Sequence, residues 1–413
     1  MERKLFGTDG VRGKANIYPM TCEVAMSLGR AVTHYFQSKN PNKNVRPLII
    51  LGKDTRLSCY MLELAFSSGV CSQGGQVILT GPLPTPGVAF ATQSMRADAG
   101  VMISASHNIY SDNGIKVFDR GGNKLADSVE LELEKMVLNP ELIPIREGEL
   151  LGKATRLDEV LGRYIVHVKT QLDKSFDLER MRIILDCANG ATYKVGPMIF
   201  RELGAEVFTL GDAPNGQNIN LNCGSVSPHR AQEDVKKYKA DIGLCFDGDG
   251  DRVTIIDEKG NVLDGDQVVG LLSRYYLDSK LLKKGDEIVG TVMSNLGLEK
   301  YIKSLGLKFF RASVGDRYIK DRMNKSHSIL GGEPSGHIIL SNHSTTGDGI
   351  LAGLKIIECL SFYKRPLNEL IEDISLYPQV TKNAKVKRKK PLESVAPIQT
   401  CLEKAESELG NSG

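Results

Sequence analysis

Apolar runs punctuated by glycine and proline alternate along the chain with longer stretches whose hydrophobic residues recur at helical spacing. Residues 48–51 predict a buried strand, 61–71 a helix and 77–80 the next strand. Pro82, Pro84 and Pro86 predict a loop, and 100–103 another strand. A strand–helix–strand order favours a mostly parallel sheet covered by helices. The pattern restarts at a strand over 182–185, a helix over 195–203 and a strand over 206–210, followed by strands at 242–246 and 253–256 on either side of an acidic loop. It restarts again at 287–292, with a helix at 298–305 and strands at 308–310, near Ile329 and at 338–340. The texture changes after Pro378, where a strand at 380–386 and a polar helix at 398–409 are predicted. The expected fold class is therefore α/β: three consecutive α/β domains with mixed sheets (1–157, 158–257 and 258–374), then a partial C-terminal α+β domain (375–413).

Composition narrows the class. With 413 residues, 41% hydrophobic and 25% charged, the chain resembles an ordinary soluble protein with several cores. A net charge of +3 gives no reason to expect nucleic acid, and the one basic run, Lys385 to Lys390, reads as a solvated strand end. The eight cysteines show neither a C-x-x-C pair nor zinc spacing, no apolar signal region follows Met1-Glu2-Arg3-Lys4, and no uncharged run reaches the ~18–20 residues that span a bilayer. These features predict no membrane partner and a reducing, cytoplasmic location.

The sharpest chemical signal is Asp247-Gly248-Asp249-Gly250-Asp251-Arg252. Three carboxylates at alternate positions of a glycine-rich turn can converge on one hard cation, Mg²⁺ or Ca²⁺. An EF-hand would also place aspartates at these spacings, with Glu258 at its twelfth position. It needs glycine where Arg252 stands, however, and the β-branched run 253–256 is no helix. Arg252 suits an anionic, phosphate-bearing ligand.

A second loop, Ser104-Ala105-Ser106-His107-Asn108, follows a predicted buried strand, where functional groups of α/β sheets gather. A serine there can act as a nucleophile when a base or metal assists it; a plain strand-end turn is the alternative. Downstream, Asp112 to Lys116 reads as a turn whose lysine is either exposed or returns to the same site. Neither G-x-S-x-G nor a P-loop motif fits this loop. A third loop, Gly331-Gly332-Glu333-Pro334-Ser335-Gly336-His337, offers a carboxylate, a hydroxyl and an imidazole, or is a glycine-rich hairpin with no ligand.

Taken together, the three loops resemble those of the α-D-phosphohexomutase superfamily, one from each of its first three domains. Leu5 to Gly13, Gly52-Lys53-Asp54-Thr55-Arg56, Pro84-Thr85-Pro86, Asn218-Ile219-Asn220 and Val314 to Tyr318 are similar to its phosphoglucosamine mutase branch, in order, from about residue 4 to the end. The resemblance implies a phosphorylated Ser106, which also donates an oxygen to Mg²⁺ beside Asp247, Asp249 and Asp251. It implies sugar recognition by Glu333, Ser335 and His337, with Arg12 and Arg252 near the reacting phosphate and His107 and Lys116 moving protons. It further implies an isomerase-class phosphotransferase for hexosamine phosphates, making peptidoglycan precursors through a bisphosphate intermediate. Phosphoglucomutase or phosphomannomutase activity on the same machinery, or a metal-binding remnant without activity, are the alternatives. Ile109 stands where the family usually has proline, and Pro334 where glutamine is common. The family's Arg-x-Ser-Gly-Thr-Glu-Pro loop does not occur within the 413 residues, so the resemblance predicts a weaker hold on the distal phosphate.

Overall fold

Strands that are apolar on both faces need helices on both sides, and that demand shapes each of three successive sheets. The structure, a computed structural model, describes residues 4–7, 9–42, 45–174, 176–380, 386 and 391–410. Among the described residues the first sheet contains β1 (Val11–Lys14), β2 (Leu48–Lys53), β3 (Gln76–Pro82), β4 (Ala99–Ile103), β5 (Asp112–Asp119) and β6 (Lys153–Arg156), in the order β1-β5-β4-β2-β3-β6. β2 pairs in parallel with both β3 and β4, whereas β5 runs antiparallel to β4 and to β1. Helices Cys22–Lys39, Leu57–Ser72, Thr85–Ser94 and Asp127–Leu138 belong to the same layered unit. Thr21 caps the first of these, accepting a hydrogen bond from the Val24 N–H.

The second sheet orders β7 (Arg182–Asp186), β8 (Glu206–Leu210), β9 (Ile242–Phe246), β10 (Val253–Ile256) and β11 (Val262–Leu263) as β11-β10-β9-β7-β8. The third orders β12 (Glu287–Thr291), β13 (Lys308–Ala312), β14 (Leu330–Gly332) and β15 (Ile338–Leu340) as β13-β12-β14-β15. Each sheet mixes parallel and antiparallel pairs, as expected for the class. One apolar core runs through all three, from Ile50, Val88 and Met102 through Ile183 and Ile242 to Val269, Leu330 and Ile350. Close packing of this kind fixes the sheets, and hence their loops, relative to one another.

Two local expectations are corrected. The proline-punctuated loop holds only as far as Pro84: Thr85–Ser94 is a helix, and Pro86 lies in its first turn, where the missing N–H would have had no helical partner. Residues 112–116 are not a turn but the start of β5, because Ile115 and Val117 pair against β4 and face the core. Residues 378–413 form a separate unit, in which a short 3₁₀ turn (Leu392–Ser394) precedes helix Ala396–Leu409. The strand expected at 380–386 falls largely on residues outside those described. No helix among the described residues is long and apolar enough to cross a membrane.

Candidate active site

The acidic loop is the connection of a hairpin. Phe246 pairs with Val253, so Asp247 to Arg252 must turn the chain between the ends of β9 and β10. Gly250 makes the turn possible: its φ is +71°, and a Cβ there would lie 2.6 Å from the Thr192 methyl. The three aspartates are buried, and one carboxylate oxygen from each lies within 4.8 Å of the others. Oδ1 of both Asp249 and Asp251 is buried without a hydrogen-bond partner. Orphaned carboxylate oxygens of this kind, converging with the third aspartate, are the donor set of a hard divalent cation, so the residues fit Mg²⁺. Burial, then Asp251 and Asp249, pushes the Asp247 carboxyl well above its usual range. Burial acts the same way on Asp251 but is outweighed by Lys116, His337 and Arg252, and its carboxyl is held well below that range.

The serine loop leaves β4 and meets the acidic loop directly. The Ser106 hydroxyl donates to Asp247 Oδ2 at 2.5 Å and lies 3.4 Å from His107 Nδ1. Ser106 has a φ of +52°, in the left-handed region where serine is uncommon. Its surroundings hold it there. Its N–H donates to Ser104 Oγ at 2.9 Å, and its carbonyl accepts from Arg56 at 2.9 Å and from Asn220 Nδ2 at 2.8 Å. Arg56, fully buried, also donates to the carbonyls of Asn108, Ile109 and Asp112. Its charge is balanced by Asp54 at 2.9 Å, which in turn accepts from Ser104 Oγ at 2.6 Å. The carbonyl of Ile109, the residue standing in place of proline, is thus one of the clamp's acceptors. Burial, then Arg252 and Arg12, depresses the His107 imidazole to about 4, so the ring is neutral near pH 7.

Lys116 is 2% exposed, not a surface lysine. It stands opposite Met102 on β5, and Nζ reaches Asp249 Oδ2 at 2.8 Å, Asp251 Oδ2 at 3.3 Å and Asp9 Oδ2 at 3.3 Å. Burial opposes its charge, but Asp249, Asp9 and Asp251 prevail and hold it well above the usual lysine range. Arg12 and Lys124 both pair with Asp9, and Lys124 also meets Asp316 of the third domain at 2.6 Å. His337 lies between Asp251 (3.7 Å) and Asp316 (3.5 Å) while Nε2 accepts from the Gly347 N–H. Glu333 accepts from the Gly315 N–H at 3.2 Å and from the more exposed Ser335 hydroxyl at 3.1 Å. Its carboxylate also raises the Arg252 guanidinium, after burial (which lowers it), Asp251 and Asp247. The third loop is tied to the acidic loop by the Val253 N–H donating to Gly336 O at 3.1 Å. Gly336 is needed at that junction, with φ +82° and a would-be Cβ 2.2 Å from Val253 O.

The residues expected from sequence therefore converge, with Ser335 on the outer side. Asp9, Lys124, Asp316, Asp54, Arg56, Thr85 and Asn220 were given no role, although most lie in the short motifs that carried the resemblance. Thr85 donates to Asp249 Oδ2 at 2.6 Å. A phosphoryl group on Ser106 would add negative charge beside Asp247, which a divalent cation offsets.

A buried serine beside an aspartate triad, at the meeting of three α/β domains, defines a phosphohexose mutase site. The chain belongs to the phosphoglucomutase/phosphomannomutase family: profiles of its α/β/α domains I, II and III match residues 3–143, 162–260 and 264–377. Over its whole length it is 49% identical to the phosphoglucosamine mutase of Pelobacter propionicus and 48% identical to that of Desulfotalea psychrophila, covering 90% of each. The crystal structure of a phosphoglucomutase/phosphomannomutase family protein from Burkholderia thailandensis has the same fold, with a TM-score of 0.75 at 24% identity over 88% of this chain and 78% of that one.

Proposed function

We propose that this chain interconverts glucosamine 6-phosphate and glucosamine 1-phosphate, and that Ser106 carries the phosphoryl group between them. The relatives named for this activity, matching the whole chain at nearly half identity, support the substrate. The contact of Ser106 Oγ with Asp247 inside the aspartate triad carries the reading of the site.

The chemistry follows from what the side chains can do. Phosphoryl transfer needs positioning and charge neutralisation more than covalent machinery. The phosphoryl group leaves Ser106 Oγ for the free 1-hydroxyl of glucosamine 6-phosphate: the P–O(Ser) bond breaks, a P–O1 bond forms, and the hydroxyl proton is taken up. The bisphosphate then presents its 6-phosphoryl to Ser106, the reverse bond changes occur at O6, and a proton returns there. His107 enters this cycle neutral and Lys116 charged, so the pair supplies an acceptor and a donor. Asp247, Asp249, Asp251 and the Ser106 oxygen would hold Mg²⁺, which supplies a Lewis acid to the transferring group when bound. Arg12 and Arg252 face the phosphoryl oxygens, and Glu333 and Ser335 accept from and donate to sugar hydroxyls; His337, expected at the sugar, is buried beside Asp251 and Asp316 and braces Asp251 instead.

The test is direct. Active protein should carry phosphate on Ser106 by mass spectrometry, and Ser106→Ala should lose nearly all turnover, at least ~10³-fold, while keeping its fold. Full activity in that variant would end the proposal.

A further inference from the structure

A cleft of the first domain lies apart from the site just described. About 610 Å³ in volume, it is lined by His34, Gln37 and Ser38 of helix Cys22–Lys39, by Gln73 and Gly74 after helix Leu57–Ser72, and by Arg46, Arg146 and Leu150. None of these is a residue of the catalytic apparatus, and none is a carboxylate, although two guanidinium groups line the same space.

Its polar atoms are left unusually open. Gln73 is 0% exposed, yet neither Oε1 nor Nε2 of its amide has a hydrogen-bond partner among the described residues. His34 Nδ1 and Arg146 Nε are likewise buried without partners. A side chain amide in the interior is normally paired, because leaving it unpaired after removal from water costs free energy. Arg146 spends one nitrogen on Gln37 Oε1 at 3.0 Å, and Arg46 one on the Glu149 carbonyl, so each guanidinium keeps further donors. Burial, then the nearby Arg146 charge, lowers the affinity of His34 for a proton.

We propose that this cleft is a second, non-catalytic binding site for a small phosphate-bearing metabolite. Arg46 and Arg146 grip the phosphate, and the Gln73 amide with His34 binds the polar remainder. Two guanidinium donors with no carboxylate among the lining residues select an oxyanion, and phosphate offers the planar fork its best partner. The volume is that of a small-molecule site and exceeds what one phosphate needs. Water alone could pair with Gln73, but it gives no reason for two cations with no carboxylate among the described lining residues.

Inorganic phosphate is the probe, with chloride at matched ionic strength as the reference. The ring C–H resonances of His34 report on this cleft and not on the catalytic centre. Phosphate, added to about tenfold above a Kd of ~1 mM, should shift His34 saturably. Arg46→Glu combined with Arg146→Gln, at positions exposed and half-buried respectively, should weaken that response by at least ~10-fold. Mutase kcat/KM measured without added phosphate should stay within about twofold, since neither arginine belongs to the reaction. Circular dichroism melting checks the fold, and the single Arg46→Glu variant serves if the double variant melts early. An unmoved His34 in the wild type, or an equal shift in the variants, overturns the proposal and leaves a water-filled cleft.

Discussion

Replacing Arg56 isolates the clamp that shapes the serine loop. Arg56 is fully buried and donates to the carbonyls of Ser106 (2.9 Å), Asn108 (2.8 Å), Asp112 (3.2 Å) and Ile109, while Nε meets Asp54 Oδ2 at 2.9 Å. Arg56→Met leaves Asp54 charged and buried, with Ser104 Oγ, Cys59 Sγ and one backbone N–H as its donors. Breaking a buried pair in this way costs about 3–5 kcal/mol. For a cooperative unit of 150–250 residues that lowers the melting midpoint by roughly 6–20 °C. Arg56→Lys is the sharper test, because it keeps the charge beside Asp54 but cannot span four carbonyls. Asn220 still holds the Ser106 and Asn108 carbonyls at 2.8 Å, so the loop should shift rather than unfold. A displacement of about 1 Å at the nucleophile costs up to ~10²-fold, and kcat should fall by about 10–100-fold with KM nearly unchanged. The assay is steady-state turnover well below each variant's midpoint, alongside hydrogen exchange at amides 104–109. Wild-type kcat and wild-type protection in Arg56→Lys would refute the clamp.

Asp249→Asn should shift the Mg²⁺ dependence of turnover upward by at least ~10-fold and lower the maximal rate by ~10²-fold, with chelator-treated wild type regaining activity on adding Mg²⁺; an unchanged Mg²⁺ titration refutes the triad. Glu333→Ala should raise KM for glucosamine 6-phosphate by about tenfold without lowering phosphate on Ser106, and an unaltered KM removes Glu333 from sugar recognition. Asp348, which caps helix Gly349–Tyr363 and accepts from the Tyr164 hydroxyl at 2.8 Å, is raised by burial from 3.8 to about 6. A carboxyl raised on folding destabilises once it ionises, so the contribution of Asp348 to stability should fall as pH rises from about 4 to about 6, by ~3 kcal/mol at most. Asp348→Asn should flatten that slope in chemical denaturation, and parallel pH profiles for the two proteins would contradict it.

Strand spacing and motif order in the sequence were enough for the α/β class, the three loops and the chemistry of the triad. A hairpin through Asp-Gly-Asp-Gly-Asp-Arg between β-branched runs has few ways to fold, and a serine after a buried strand can only emerge at the sheet's end. What local pattern did not carry was contact at long range. Lys116 after Asn-Gly could locally be exposed or return to the site, and it sits at 2% exposure because β5 pairs with β4 and turns it onto aspartates more than a hundred residues away. Pro86 reads as a loop residue, yet a helix begins at Thr85, whose hydroxyl and N–H both reach Asp249. Lys124 carries no signal of its own, and Asp9 and Asp316 only their place in two short motifs, because each is a single charge whose meaning depends on which domain faces it. Arg56 is the plainest case: its sequence neighbours describe a polar turn, and only packing removes the water that would otherwise satisfy the carbonyls of the serine loop. Hydrophobic periodicity is written locally and can be read from one chain, whereas the balance of buried charge is a property of three domains closing on one another, decided only when their shared core sets the distances.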